Sequence, residues 1–376
     1  MKMMHISDLH LGKRLKDRSL IEDQRFILNQ ILDIADSEDI EGMLIAGDIF
    51  DDGNNTIIEA VELLDWFFVQ LKDRRIETFV VSGNHDSMVR LQYGAALFSS
   101  NGINIASTFK GAPEKYEMKG RDGIAVDVYL LPFVKPMNVR QFYEDVTRDY
   151  DEAIVKVMND VNVDNTRKNI IVTHQNIVSG DIMPIVSDSE RKFIGGEAAV
   201  SADNFDMFDY VALGHIHKAQ FVGKETVRYS GAILKYALSE KETDKSVTIL
   251  EIGDDITIRE VPLRPLRDVR ILSGSLNELI EKGKTDPNNK DYIMAKIDGE
   301  EINAMNKIRA VYPNTLALSF NRYSSGDVEY ESEGDLDSID LKEEFERFFA
   351  KATGKEMTEN QRKIMAELFE KAEVTL

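Results

Sequence analysis

Residues 1–10 read MKMMHISDLH: a short apolar run, Met1–Ile6, then a turn, Ser7-Asp8-Leu9-His10, offering a carboxylate and an imidazole. The same unit recurs down the chain. Met43–Ala46 is followed by Gly47-Asp48, Thr78–Val81 by Gly83-Asn84-His85-Asp86, Ile170–Thr173 by His174, and Tyr210–Leu213 by Gly214-His215-Ile216-His217. Between these runs lie stretches of helical periodicity, at 20–36 (Leu20, Phe26, Ile27, Ile31, Ile34), 56–72 and 87–99. Together with a further run at Ile124–Leu131, this alternation predicts an α/β fold with a largely parallel core. Side chains that follow the carboxyl ends of strands in open α/β sheets converge on one crevice. Ligand-type residues spread over roughly 200 positions are therefore expected to meet at one site. Five of the six histidines fall in these turns; His5 lies inside the first strand and is read as packing.

The residue types say what such a site holds. Asp8, His10, Asp48, Asn84, His174, His215 and His217 are nitrogen and oxygen donors without sulfur, a set that suits Mn, Fe or Zn better than Ca. Seven ligands exceed what one ion with an open position needs, and divide between two ions if one carboxylate bridges. Two-metal sites clamp the attacking and leaving oxygens of an in-line phosphoryl displacement and lower the pKa of a bound water. Phosphoester hydrolysis is the expected chemistry. A single DxH or GD means little; five such motifs in this order, each after a strand, carry the reading.

Composition sets limits. The chain has 376 residues, 43% hydrophobic, with no cysteine, which excludes disulfides and thiolate chemistry. No apolar run approaches the roughly 18–20 residues that span a bilayer, and the N-terminal stretch turns polar too early for a signal peptide; cytoplasmic localisation is expected. The net charge of -21 argues against nucleic-acid binding through bulk positive charge. A DNA substrate would need metal ions, a partner or a local basic run, of which Lys13, Arg14, Lys16 and Arg18 form the best candidate beside its reading as a solvated loop.

The catalytic domain is expected over residues 1–262, its last part (219–262) being short β-like runs without helix. The two prolines of VPLRPLRDV mark a boundary, followed at 263–323 by a small α+β capping domain with strands Tyr292–Ile297 and Leu316–Phe320 and a helix Ile302–Val311. An acidic linker is expected at 324–335 and C-terminal helices at 336–376, where Leu341, Phe345, Phe348 and Phe349 form one apolar face and Ile364, Met365, Leu368 and Phe369 another. Thr358 and Gln361 form a capping box. Gly283-Lys284-Thr285 is not a complete P-loop, because Glu278 stands where the leading glycine belongs.

The order D-x-H, GD, GNHD, H, GHxH resembles the calcineurin-like metallophosphoesterase superfamily, which implies a β-sandwich flanked by helices. The resemblance implies that Asp8, His10, Asp48 and His217 hold a first metal. Asp48 would bridge to a second, completed by Asn84, His174 and His215. It gives His85 the scissile phosphate and the leaving oxygen, and Asp86 the task of orienting His85. Within the superfamily, HISDLHLGK, VVSGNHDSMVRL, RYSGAILKYALSE, VPLRPLRDVRILSG and FERFFAKATGKEMTENQ are similar to the SbcD family of double-strand-break repair nucleases. Ala232-Ile233 departs from the Ser-Pro-like pair expected after YSG.

That family implies a manganese-dependent nuclease with two divalent ions, Mn2+ by the family's usage, acting on DNA as a 3′-to-5′ double-strand exonuclease and a single-strand and hairpin endonuclease. ATP would be hydrolysed by an SbcC-type partner docked on 336–376. A homodimer would form through helices 56–72 and 87–99, with Trp66, Phe67, Phe68, Leu91, Leu97 and Phe98. The ligands alone fit another phosphatase or a small-molecule phosphodiesterase equally well. A metal-free scaffold fits poorly, since no ligand position is missing.

Overall fold

The strand Lys2–Ile6 shows how the molecule is layered. Met3 faces a core between two sheets, while Met4 and Ile6 face a layer of helices. Both faces are covered, so apolar residues point to both sides, with His5 the polar side chain buried between the sheets. The next strand repeats this, with Leu44 and Ala46 turned inward and Met43 and Ile45 outward. In the opposite sheet Ile170 and Val172 meet the same inner core, and Ile171 meets the outer one.

The computed structural model describes residues 1–180, 182–187, 199–299, 301–321, 345–346, 349–350 and 353–365. It is an α/β sandwich of two mixed six-stranded sheets flanked by helices. The first sheet runs, in spatial order, Ile256–Leu263, Lys245–Ile252, Lys2–Ile6, Gly42–Ala46, Glu77–Val81, Ile103–Ala106. Its last four strands are parallel, and Lys245–Ile252 is antiparallel to both neighbours. The second runs Gln220–Val222, Lys224–Tyr229, Tyr210–Leu213, Lys168–Thr173, Ala125–Leu131, Glu114–Lys119, with four parallel strands between two antiparallel edges.

Helix Ile21–Glu38 buries Ile27, Leu28, Ile31 and Leu32 on the first sheet, at the spacing of one helical face. Helix Ile58–Asp73 lays Leu63, Phe67 and Leu71 beside them. Tyr150–Asn159 covers the second sheet with Ile154 and Val157. The expected helix 87–99 is two short ones, Met88–Gln92 and Ala95–Ser99, because Gly94 at φ 77° breaks the run. Phe67, Phe68 and Leu91, expected at a dimer surface, are core residues, whereas Leu97 is exposed. A 3-10 turn, Leu238–Glu240, interrupts the stretch expected to lack helix.

Beyond Leu263 comes a separate three-stranded parallel sheet, Val269–Gly274, Tyr292–Asp298 and Thr315–Asn321, with its own core around Ile293, Ile297, Leu279 and Ile308. Its first strand and the helix Leu276–Thr285 are additions to the sequence-based expectation. Gly283-Lys284-Thr285 closes that helix and Glu278 caps its start, so no phosphate-cradling loop precedes a helix here. The small sheet is tied to the sandwich at Asp23, which accepts from Arg267 Nε at 2.9 Å and Tyr292 Oη at 2.8 Å. Thr358 and Gln361 make the expected reciprocal caps, and residues 359–365 are helical. The expected linker 324–335 and most of 336–376 lie outside the described residues. No helix among the described residues is long and apolar enough to cross a membrane.

Phe79 is fully buried between the sheets. Phe79→Ala is expected to cost about 3–5 kcal/mol, read as a lower urea midpoint. A loss under about 1 kcal/mol would mean that the two sheets are not tightly packed there.

Candidate metal centre

Parallel strands of both sheets end along one edge of the sandwich, and each delivers its turn there. Lys2–Ile6 leads to Asp8 and His10, Gly42–Ala46 to Asp48, Glu77–Val81 to Asn84 and His85, Lys168–Thr173 to His174, and Tyr210–Leu213 to His215 and His217. The turns are locked together, Asp8 N–H donating to Gly47 O at 3.0 Å and His10 N–H to Asp48 O at 2.9 Å. Asp8, His10, Asp48 and His215 all take positive φ, at 52°, 42°, 50° and 96°. Such backbone is costly outside glycine and persists where the surroundings over-determine it. The neighbouring glycines are needed for closeness: a methyl at Gly83 would sit 2.1 Å from Asp48 Oδ1, and one at Gly214 1.8 Å from Ala46 O.

Six of the seven expected ligands are buried and Asn84 is half-buried. Ligand atoms of Asp8, His10 and His217 lie within 4.8 Å of one another, as do those of Asp8, Asp48 and His174. Asp48 Oδ2 stands between the groups, 3.6 Å from His10 Nε2 and 3.4 Å from His174 Nε2. Asn84 Oδ1 is 3.2 Å from His174 Nε2 and 2.9 Å from His215 Nδ1. His5 stays apart, its ring nitrogen 3.0 Å from Tyr210 Oη between the sheets.

A second layer orients the rings. His174 Nδ1–H donates to Ala46 O at 2.7 Å, which turns Nε2 inward. His217 Nδ1–H donates to Glu240 Oε1 at 3.1 Å with the same result. His10 Nδ1 lies 3.5 Å from Asp51 Oδ1. Both Asp8 oxygens face the His215 amide at 3.1 Å. The Asp86 carboxylate, expected to orient His85, contacts backbone amides. It accepts from the amides of Ile49, Phe50 and Gly83 at 3.0, 2.9 and 2.9 Å, bracing two ligand turns. The His85 Nδ1 lies 3.0 Å from the Asp51 carbonyl oxygen.

The arrangement fits divalent cations. His10 Nε2 and His217 Nε2 face each other at 3.2 Å, and with His217 Nδ1 turned to Glu240 the His217 lone pair points at His10, where a proton on His10 Nε2 or a cation between the rings would meet it. The charges say the same. Burial would lower His174, but Asp48 and Asp8 outweigh it and push it up to about 9. His215, by burial and the nearby His174, falls to about 4. Burial would raise Asp48, yet the histidines around it hold it well below the usual carboxylate range. The buried carboxylates thus favour positive charge beside them, which a bound cation would supply.

Asp51, Glu240 and Lys245 are site residues that the motifs do not announce. Asp51 stands in GDIFDD, but a carboxylate three residues after a ligand is common in loops. Glu240 and Lys245 carry no ligand spacing, and only the fold brings them to His217. The basic run is largely spent on protein contacts: Lys13 pairs with Asp51 at 2.6 Å, Arg14 donates to Asp17 O, and Arg18 reaches Pro313 O at 3.0 Å.

A sandwich of mixed sheets with overlapping His/Asp groups on one strand edge is consistent with a dimetal hydrolase centre. Residues 1–219 match the calcineurin-like phosphoesterase family, and residues 263–353 match a family described as the type 5 capsule protein repressor C-terminal domain. The SbcD component of the nuclease SbcCD from Staphylococcus epidermidis is 32% identical over 328 residues, covering 85% of each chain. The chain belongs to the calcineurin-like phosphoesterase family, in the SbcD group. Among solved structures, a dimetal phosphatase from Danio rerio is 12% identical over 72% of this chain and 99% of its own, with a TM-score of 0.40. A Thermus thermophilus protein is 11% identical over 70% and 99%, at 0.41.

Gly214→Ala is expected to push the His215 turn away from Ala46 and weaken divalent-ion binding roughly tenfold or more, measured by calorimetric titration. Unchanged affinity would mean that the turn yields without moving its ligands.

Proposed function

We propose that this chain is the nuclease subunit of an ATP-dependent DNA-repair complex, hydrolysing DNA phosphodiesters with two divalent ions, manganese in the favoured case. The observation that carries the reading is the buried donor cluster with the Nε2 atoms of His10, His174 and His217 turned inward, on a chain similar along 85% of its length to an SbcD component of SbcCD. Asp8, His10, Asp48 and His217 would hold one ion, and Asp48, Asn84, His174 and His215 the other. Bound there, the ions would activate water and neutralise charge on the phosphate. His85, held by Asp51 O through Nδ1 and by Asp48 Oδ1 through its amide at 2.9 Å, would present its ring to the phosphate. It would steady the transition state and give a proton to the departing 3′ oxygen as the P–O bond breaks and the water oxygen joins phosphorus. Asp86 would keep the Asp48 and Asn84 turns in register through its three amide contacts.

Exonuclease action from 3′ ends and endonuclease action on hairpins and single strands are proposed from the family. So is docking of an SbcC-type ATPase on 336–376, which would supply both ATP hydrolysis and DNA-binding charge that this acidic chain lacks. The proposed homodimer surface shifts from the buried aromatics to exposed neighbours. Ile58, Val89, Tyr93 and Leu97 are 73%, 81%, 86% and 73% exposed on the same pair of helical segments.

Cleavage of end-labelled duplex and hairpin DNA with manganese, with and without the ATPase partner, tests the activity. Asp48→Ala is expected to abolish cutting. His85→Ala is expected to slow it by about 10²–10⁴-fold while metal content stays unchanged. Turnover of a small chromogenic phosphodiester with DNA left intact, even beside the partner, would move the substrate to a small-molecule phosphodiesterase. Separately, Tyr93→Asp with Leu97→Asp is expected to convert a dimer to monomer in light scattering, and a wild-type chain that is monomeric at all concentrations would remove the dimer.

A further inference from the structure

The segment Gly231–Lys245 forms one wall of the metal centre. The Tyr236 ring lies edge-on to His10 and His217, with centroids 5.3 and 5.8 Å away, and its hydroxyl donates to Leu9 O. Further along, Glu240 Oε1 accepts from His217 Nδ1 at 3.1 Å, and Glu240 Oε2 pairs with Lys245 Nζ at 2.6 Å. Lys245 Nζ then donates to the backbone oxygen of His217 itself, at 2.9 Å. Glu240 and Lys245 are 2% and 6% exposed. The pair therefore grips one histidine at two points, its ring and its carbonyl.

A buried ion pair is a poor way to stabilise a fold, because desolvation offsets most of its attraction and apolar residues of the same size serve as well. Its geometry here is spent on His217. The partner of another metal-facing ring differs in kind: His174 Nδ1–H donates to a neutral carbonyl, Ala46 O. A carboxylate behind an imidazole fixes the tautomer and raises the basicity of the opposite nitrogen more than a carbonyl does.

We propose that Glu240 and Lys245 are positioning residues that hold His217 with its Nε2 toward the ion, and so make the two metal subsites unequal in affinity. The proposal rests on His217 being a metal ligand, as read above. Lys245 is the anchor, keeping the carboxylate from swinging away and fixing the backbone of the Gly214–His217 turn. Glu240 is the lever on the ring.

Titration of the metal-free full-length chain with manganese(II) chloride, followed by calorimetry and by electron paramagnetic resonance of the free ion, tests this. The wild type is expected to bind two ions in distinguishable steps. Glu240→Gln is expected to weaken one step by about 10–100-fold and leave the other within error. Should the unpaired Lys245 prevent folding, Glu240→Gln with Lys245→Met removes both buried charges and is expected to show the same selective loss. A folded variant that titrates like the wild type, or that loses both steps equally, overturns the proposal. Wild type that binds no manganese, or His217→Ala that titrates like wild type, instead sinks the assignment of His217 on which it rests.

Discussion

Two imidazole nitrogens 3.2 Å apart, with buried carboxylates on either side, set the terms for the whole molecule. Such a cluster is unfavourable by itself: imidazoles are crowded together, and Asp8 and Asp48 are removed from water. A polypeptide holds it only if the surrounding structure leaves the side chains nowhere else to go. The sandwich meets that need. Its inner core fixes the spacing of the sheets, the parallel strands fix where each turn emerges, and glycines at 83 and 214 let turns from different strands approach more closely than a side chain would allow. The positive φ angles at four ligand positions are where that constraint is stored as backbone strain.

How much of this is legible in the sequence depends on whether a feature repeats. Strand followed by ligand turn recurs five times, so the strands Lys2–Ile6, Gly42–Ala46, Glu77–Val81, Lys168–Thr173 and Tyr210–Leu213 can be placed within a few residues. The seven expected donors come together because all sit at the same end of parallel strands. What escapes has no repeat to betray it. The strand Val269–Gly274 has a mixed burial pattern, and its apolar residues do not stand out from the preceding Pro-rich stretch. Apolar spacing continues on both sides of Gly94, so periodicity alone predicts one helix where there are two. Asp86 stands beside His85 and invites pairing with it, whereas a carboxylate in a tight turn finds backbone amides first.

The residues that orient the metal-facing rings come from parts of the chain with no common pattern. Asp51 follows one strand, Glu240 lies in a 3-10 turn, and Ala46 contributes only its carbonyl. Chemistry of the ligands can be read from side-chain type, since a metal demands certain donors. Orientation can be satisfied by any acceptor in the right place, so it leaves little trace in composition. The same holds at the seam with the small sheet, where Asp23 on the first helix meets Arg267 and Tyr292 from beyond the boundary.

The position of the strand Lys245–Ile252 has a consequence for the order in which the molecule is made. It pairs with Lys2–Ile6, so the N-terminal strand remains an open edge until about 250 residues have left the ribosome. The His215 turn that faces Asp8 lies 207 residues after it, so the first half of the site emerges long before the second. Domains fold largely as units during synthesis, and contacts of high sequence separation form late. The two halves of the candidate metal centre are thus far apart in synthesis, and a ribosome-stalled fragment ending before His215 would present Asp8, His10, Asp48 and His174 without the two imidazoles that complete the cluster.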